Sequence, residues 1–147
     1  DLLGRKVLGN SGATLKKFAR LAGALVEAEG VNEKMAEFID PLAQLGEQMT
    51  KFTTEIGVKA LQNPDEAGAA AVPYLRVAGH LVYGYFFALM ASVALKKIAA
   101  GSTDPFYTAK LQTARFYFAR LFPETTMLMR AARAGSAALM DTDAALA

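Results

Sequence analysis

The 147-residue sequence contains no cysteine, which excludes disulfides, thiolate metal sites and a cysteine nucleophile. It has one histidine, His80, so imidazoles cannot assemble an ordinary zinc site, and a histidine-based catalytic triad would have to use this residue. No segment has a β-strand period and no glycine-rich loop follows a strand, which excludes a dinucleotide-binding fingerprint. The residue types therefore identify a kind of domain rather than a reaction.

Charge is scarce and is sorted along the chain. Charged residues make up 20% of the sequence and the net charge is +2, too small to indicate a dedicated nucleic-acid binder. Residues 1–20 and 71–147 are basic, whereas residues 21–70 hold nine acidic residues against three basic ones. We expect antiparallel helices to pair these edges, each contact contributing less than about 1 kcal/mol.

Apolar residues, 53% of the chain, recur at intervals of three and four and predict helices throughout. The first helix should begin near Ala13 and end at Gly30. The second should begin at Glu33 and run for about 30 residues. Pro41 should kink it near Asp40, or Asp40 should cap a new start.

The next two predicted helices each begin with a polar residue followed by a proline. Asn63 is predicted to cap a third helix, with Glu66 completing a capping box. That helix should bend at Pro73 and stop before Gly101.

Asp104 and the proline after it should begin the fourth helix, which Pro123 breaks or bends. A last amphipathic helix is predicted over 124–139. Four main helices with short links predict an all-α fold, an up-and-down four-helix bundle with proline kinks. The length fits one domain over residues 1–147, with residues 140–147 as a frayed tail.

Residues 77–95 carry no formal charge and approach the roughly 20 residues that span a bilayer. His80, Ser92 and two tyrosines argue against a membrane span, as does the absence of a second apolar span. A helix that is apolar all round also suits the centre of a bundle or an oligomer interface. We therefore expect no membrane span, and a cytoplasmic location.

One face of the third helix carries small side chains at intervals of four, which would let another helix approach closely. We predict an interface formed by His80, Gly84, Ala88 and Ser92. His80 either faces a ligand or subunit partner or is satisfied by a tyrosine or a backbone carbonyl, and the second interpretation is favoured. The other large side chains of this helix are interpreted as core or interface residues; they are Tyr83, Tyr85, Phe86, Phe87 and Met90.

Basic residues alternate with aromatic ones on the fourth helix, a pattern that can bind phosphate groups. The residues are Lys110, Arg115 and Arg120. The favoured alternative is that the arginines pair with the acidic second helix. Four carboxylates have no neighbouring base and are expected on a solvated face; they are Glu27, Glu29, Glu33 and Glu37.

Three segments carry a family resemblance. Residues 72–80 (VPYLRVAGH), 104–110 (DPFYTAK) and 113–121 (TARFYFARL) resemble the extra C-terminal helical domain of long bacterial acyl-CoA dehydrogenases. The opening DLLGRK is similar to the junction after the helical domain of such a flavoenzyme, which makes residues 1–10 a linker from an upstream domain. The chain begins at Asp1 without a methionine, and we expect it to be a piece of a longer protein.

The resemblance implies a parent enzyme that binds FAD, oxidises acyl-CoA thioesters to trans-2-enoyl-CoA and passes electrons to an electron-transfer flavoprotein. It places the catalytic glutamate and most of the flavin pocket upstream of Asp1, so no catalytic, cofactor-binding or metal-binding residue is assigned here. The expected partners are the upstream catalytic part and further copies in a homo-oligomer, without nucleic acid. The alternatives are a freestanding helical module that binds a partner or an apolar ligand, and a membrane-associated bundle.

Overall fold

Helices make up nearly all of the computed structural model, which describes residues 2–9 and 12–140. The α-helices are α1 (Ala13–Glu29), α2 (Ala36–Gln62), α3 (Asp65–Ala99), α4 (Pro105–Phe116), α5 (Glu124–Ala132) and α6 (Ala137–Met140). Three shorter elements are a π-helical N-terminal segment (Leu2–Leu8), a 3₁₀ turn (Glu33–Met35) and a π turn (Tyr117–Leu121). Within the described residues there is no strand, so the all-α prediction is confirmed. The four-helix bundle arrangement stays a prediction.

Polar caps and a glycine set the helix ends where the sequence predicts them. The Asn63 side chain accepts a hydrogen bond from the backbone N–H of Asp65 at 3.1 Å. The Asp104 side chain does the same for Phe106 at 2.9 Å. Gly101 has a φ of +89° after α3, the left-handed conformation that glycine adopts without strain.

Pro41 and Pro73 both lie inside helices that continue past them. A new helix start at Asp40 is therefore wrong. Each proline removes one helical hydrogen bond, but the side chain directly after each proline is buried in the core. Phe38 and Leu42 flank Pro41 in the core, and their burial keeps α2 in one piece.

The end of the chain differs from the predicted helix over 124–139. α5 stops at Ala132, and Gly135, with a φ of +84°, turns the backbone before α6. Ser136 there donates from its backbone N–H and its hydroxyl to Glu66, at 3.1 and 2.6 Å. Glu66 therefore does not close the predicted capping box, because this tertiary contact uses its carboxylate. Residues 141–147 of the expected tail lie outside the described residues.

The core forms around α3, which contacts α1, α2, α4, α5 and the N-terminal segment. α2 faces it with a stripe at the predicted spacing: Phe38, Leu42, Leu45, Met49, Phe52 and Ile56. In the N-terminal segment, Leu3 is 0% and Val7 is 3% exposed. The part of the chain expected to act as a linker thus contributes two side chains to the core.

Within the described residues, α3 is the one helix long and apolar enough to cross a membrane. This criterion uses only the length and composition of the helix. The central helix of a folded core meets the same criterion. The neighbours of α3 on several sides supply a reason for its apolar sequence.

Ion pairs join the basic C-terminal part of the chain to its acidic middle, as the charge blocks predict. Arg115 lies 2.8 Å from Glu37, and Arg133 lies 3.3 Å from Glu55. Both pairs are about half exposed, so each contributes less than about 1 kcal/mol and helps to set how α4 and α5 lie against α2.

Candidate functional site

The predicted stripe of His80, Gly84, Ala88 and Ser92 lies on one side of α3 and faces other helices of the same chain. Ala88 is 0% and Ser92 is 3% exposed. A Cβ atom on Gly84 would lie 2.9 Å from the ring of Phe122, so the absent side chain is what admits that ring. The close approach that the spacing predicts therefore occurs within the chain. Contact of this stripe with a second chain stays a prediction.

His80 joins three helical elements through both of its ring nitrogens. Its Nδ1 atom lies 2.9 Å from the Tyr117 hydroxyl in the π turn. Its Nε2 atom lies 2.8 Å from Oε2 of Glu124 at the start of α5, and Arg76 of α3 pairs with the other oxygen of this carboxylate. The favoured interpretation, a histidine satisfied by a tyrosine, is confirmed. We call these four residues the His80 cluster.

Charges in the His80 cluster are complementary. The hydrogen bond with His80 lowers the pKa of Glu124, as does the nearby charge of Arg76. Burial raises the pKa of Tyr117 and keeps this hydroxyl neutral. A carboxylate, an imidazole and a phenol in a row can relay a proton. Here both ring nitrogens have partners inside the chain and the His80 side chain is only 14% exposed, so the cluster fastens α3 to α5.

A second polar cluster surrounds Glu29 at the end of α1. Its Oε1 atom accepts hydrogen bonds from the Ser92 hydroxyl at 2.5 Å and the Lys96 ammonium at 2.6 Å. The Glu29 side chain is 7% exposed, so the expectation of a solvated carboxylate is wrong. Its partners lie more than sixty residues away, and only the packing of α1 against α3 brings them together. The bonds from Lys96 and Ser92 lower the pKa of Glu29.

Acid is expected to weaken this contact. Because the folded state lowers the pKa of Glu29 below 4.5, its stabilisation is present above that pH and is lost as the pH falls through the folded-state pKa. Glu29→Gln should lower the free energy of unfolding by about 1–3 kcal/mol near neutral pH. The difference from the parent chain should shrink in acid, measured by urea unfolding at a series of pH values.

Glu47→Gln is the matched control, because Glu47 is 68% exposed and pairs with Lys51 on the same helix. We expect it to change the free energy of unfolding by less than about 0.5 kcal/mol. A Glu29→Gln difference that stayed constant from neutral to acidic pH would contradict the role of the Glu29 carboxylate.

The basic and aromatic residues of α4 do not converge on one site. Arg115 pairs with Glu37 of α2, as the favoured interpretation predicts. Lys110 lies over the ring of Phe106 at 5.2 Å, and Arg120 is exposed on the π turn. A cation–π contact and an ion pair explain two of the three side chains.

α3 also has an outer face, a second set of apolar residues that the packing of the chain leaves exposed. They are Val72, Leu75, Val82, Tyr83, Phe86, Leu89 and Val93, each between 38% and 70% exposed. Apart from the adjacent pair Val82 and Tyr83, they follow one another at intervals of three, four and seven residues, which places them along one side of the helix. The sequence does not separate this face from the buried one, because α3 is apolar all round.

The outer face continues into a groove between α3 and α4. Leu89, Met90 and Val93 of α3 line it together with Phe106 of α4, and its volume is about 330 Å³. Aliphatic and aromatic side chains form most of its walls. Such a groove suits an apolar side chain from a partner better than a charged ligand.

Polar groups that could take a metal or cofactor are scarce in residues 2–9 and 12–140. No group of three or more His, Asp or Glu side chains there could hold a metal ion. Each buried side-chain nitrogen or oxygen in these ranges has a hydrogen-bond partner within the chain. A larger cavity of about 490 Å³ lies between the N-terminal segment, α1 and α2, where aliphatic and threonine side chains meet Lys16 and Arg20.

Comparison with known proteins relates the chain to CoA dehydrogenases. Residues 12–143 match the family model described as acetyl-CoA dehydrogenase C-terminal like. The chain is also 34% identical over 128 residues to a protein named 3-methylmercaptopropionyl-CoA dehydrogenase from Ruegeria pomeroyi. That alignment covers 84% of this chain but 21% of the relative, so the chain spans about a fifth of the relative's length.

Proposed function

Because the chain belongs to the acetyl-CoA dehydrogenase C-terminal-like family, we propose that it is an accessory helical domain of an FAD-dependent acyl-CoA dehydrogenase. The observation that carries this proposal is the family match over residues 12–143, together with a dehydrogenase relative of which the chain spans 21%. In this proposal the parent enzyme carries out α,β-dehydrogenation of acyl-CoA thioesters, and the bundle packs on the catalytic part and contributes to subunit contacts.

We propose that this domain does not hold the FAD of the parent enzyme. Each buried side-chain nitrogen or oxygen of the described residues has a hydrogen-bond partner within the chain, so none is left directed at a flavin or pyrophosphate. The 490 Å³ cavity has two basic side chains at an otherwise largely apolar wall. We therefore assign flavin, acyl-CoA and the catalytic base to the upstream part of the parent. That part would deliver electrons to an electron-transfer flavoprotein, and a cytoplasmic location is part of the proposal.

The purified 147-residue chain provides the first test. Mixed with FAD, an acyl-CoA series and an artificial electron acceptor, it should reduce no acceptor and should show no flavin absorbance after gel filtration. The parent enzyme, expressed from the reading frame that encodes this chain, is the positive control. Turnover or retained flavin in the isolated chain would contradict the accessory role. A reading frame without a flavoenzyme part would contradict the proposed parent.

A further inference from the structure

The outer face of α3 is long and has no cover within the described chain. From Val72 to Val93 it runs for about 32 Å at 1.5 Å per residue. Exposed apolar side chains grouped along one side of a helix mark an interaction surface, whereas scattered ones do not. We propose that it binds the same face of a second copy of the chain, with the two α3 helices antiparallel.

Side-chain size supports self-association. In an antiparallel pair related by a two-fold axis between positions 82 and 83, Phe86 of one copy lies opposite Gly79 of the other. No atom lies within 4 Å of a Cβ built on Gly79, so this glycine opens space on the surface. Phe86 is 58% exposed and is the large side chain that fits such a space. Val82 and Tyr83 then meet next to the axis.

The two ends of the outer face are also complementary under the same axis. Val72 and Leu75 project at one end, 70% and 54% exposed. The axis places them opposite Val93 and Met90 of the second copy, at the 330 Å³ groove beside Phe106. Each copy thus supplies projecting side chains at one end and a groove at the other, as a two-fold interface requires.

Charge selects the antiparallel direction. The first turn of α3 carries Asp65 and Glu66, and its last turn carries Lys96 and Lys97. Glu66 bonds Ser136 and Lys96 bonds Glu29 within the chain. In the antiparallel pair Lys97 lies opposite Gly68, one turn from Asp65 of the other copy. A parallel pair would place like charges together at both ends.

Self-association is tested first by substitution. Wild-type chain should sediment as a dimer, and Phe86→Lys should raise the dissociation constant at least about thirtyfold, as for a central interface residue. Phe116→Lys is the matched control, because Phe116 is 59% exposed and lies on α4 outside the outer face. It should leave the dissociation constant unchanged. Thermal unfolding followed by circular dichroism should show both variants folded.

A chain that stayed monomeric at all accessible concentrations would overturn the proposal. So would a Phe86→Lys variant that dimerised like wild type.

Cross-linking tests the direction of the pair, since the chain has no natural cysteine. A short bis-maleimide should join two copies of Val82→Cys, because position 82 lies next to the axis. It should not join two copies of Val72→Cys, whose positions lie about 32 Å apart in the antiparallel pair. A mixture of Val72→Cys and Val93→Cys should cross-link. Cross-linking of Val72→Cys alone, as fast as Val82→Cys, would overturn the antiparallel arrangement.

This inference rests on the subunit contacts in the proposed function, and the two can fail separately. If the chain is monomeric but binds the separately expressed catalytic part, and Phe86→Lys abolishes that binding, self-association is wrong and the accessory role stands. Binding to anionic phospholipid vesicles by a monomeric chain would also overturn it. A dimer encoded without a flavoenzyme part would retain the inference about α3 and contradict the proposed parent.

Discussion

Replacing Tyr74 with alanine is expected to lower the free energy of unfolding by about 3–5 kcal/mol, the range for truncation of a buried aromatic side chain. Tyr74 is 0% exposed in the middle of the core, and its ring centroid lies 6.0 Å from that of Phe52. Its hydroxyl lies 2.8 Å from that of Thr53 on α2. Chemical denaturation measures the loss, which combines the transferred ring area with the cavity left between α2 and α3.

Tyr74→Phe is the control that keeps the ring and removes the hydroxyl. Thr53 retains its bond to the Met49 carbonyl at 2.7 Å, so we expect a loss of only about 0.5–1.5 kcal/mol. Equal losses from Tyr74→Phe and Tyr74→Ala would mean that the hydrogen bond, and not the packing of the ring, fixes α3 on α2.

Leu3→Ala should also be severe, with a loss of about 2–5 kcal/mol in the free energy of unfolding. Leu3 is 0% exposed, and the N-terminal segment that carries it contacts α3. This prediction distinguishes two roles for residues 1–10, a linker to an upstream domain and a part of the core. A linker would tolerate the change, whereas a core element would not.

Leu2→Ala is the control for Leu3→Ala, because it truncates the same type of side chain at the neighbouring position. Leu2 is partly buried and lines a cavity of about 220 Å³ between the N-terminal segment, α1 and α3. Its truncation enlarges an existing cavity, and we expect a loss below about 1.5 kcal/mol. Similar small losses for both variants in urea titrations would show that the N-terminal segment does not stabilise the bundle.

Local signals predict the parts of this fold that depend on neighbours in sequence. Asn63 and Asp104 cap the helices they precede, and Gly101 follows α3, because these roles need only a side chain or a φ value next to the helix end. The stripe on α2 is equally local, since its period alone turns those residues to one side.

Long-range contacts account for what the sequence leaves open. Glu66 fits a capping box by spacing, but its carboxylate binds Ser136, seventy residues later. The sequence predicts that Glu29 is solvated. In the folded chain the packing of α1 on α3 brings Ser92 and Lys96 to its carboxylate. The spacing of apolar residues also does not show which side of α3 faces the core, because the sequence of this helix has no polar side that would mark the outer face.

The two interpretations of His80 show the same difference between local signals and long-range contacts. The sequence allows a ligand-facing imidazole or one satisfied by a tyrosine, and composition cannot choose between them. The choice follows from the π turn, which places Tyr117 beside Nδ1 while Glu124 reaches Nε2. The small residues after His80 are predicted to admit another helix, and at Gly84 the neighbour is the ring of Phe122 of the same chain.

The central position of α3 governs how the molecule comes apart. Since α1, α2, α4 and α5 all rest on this one helix, detaching any of them uncovers part of it, and α3 itself can lose its structure only with the rest. The amide protons in its middle should therefore exchange with deuterated solvent only through global opening. Those near Val77 would report the cooperativity of the entire domain, whereas amides of the peripheral α1 would exchange through smaller fluctuations.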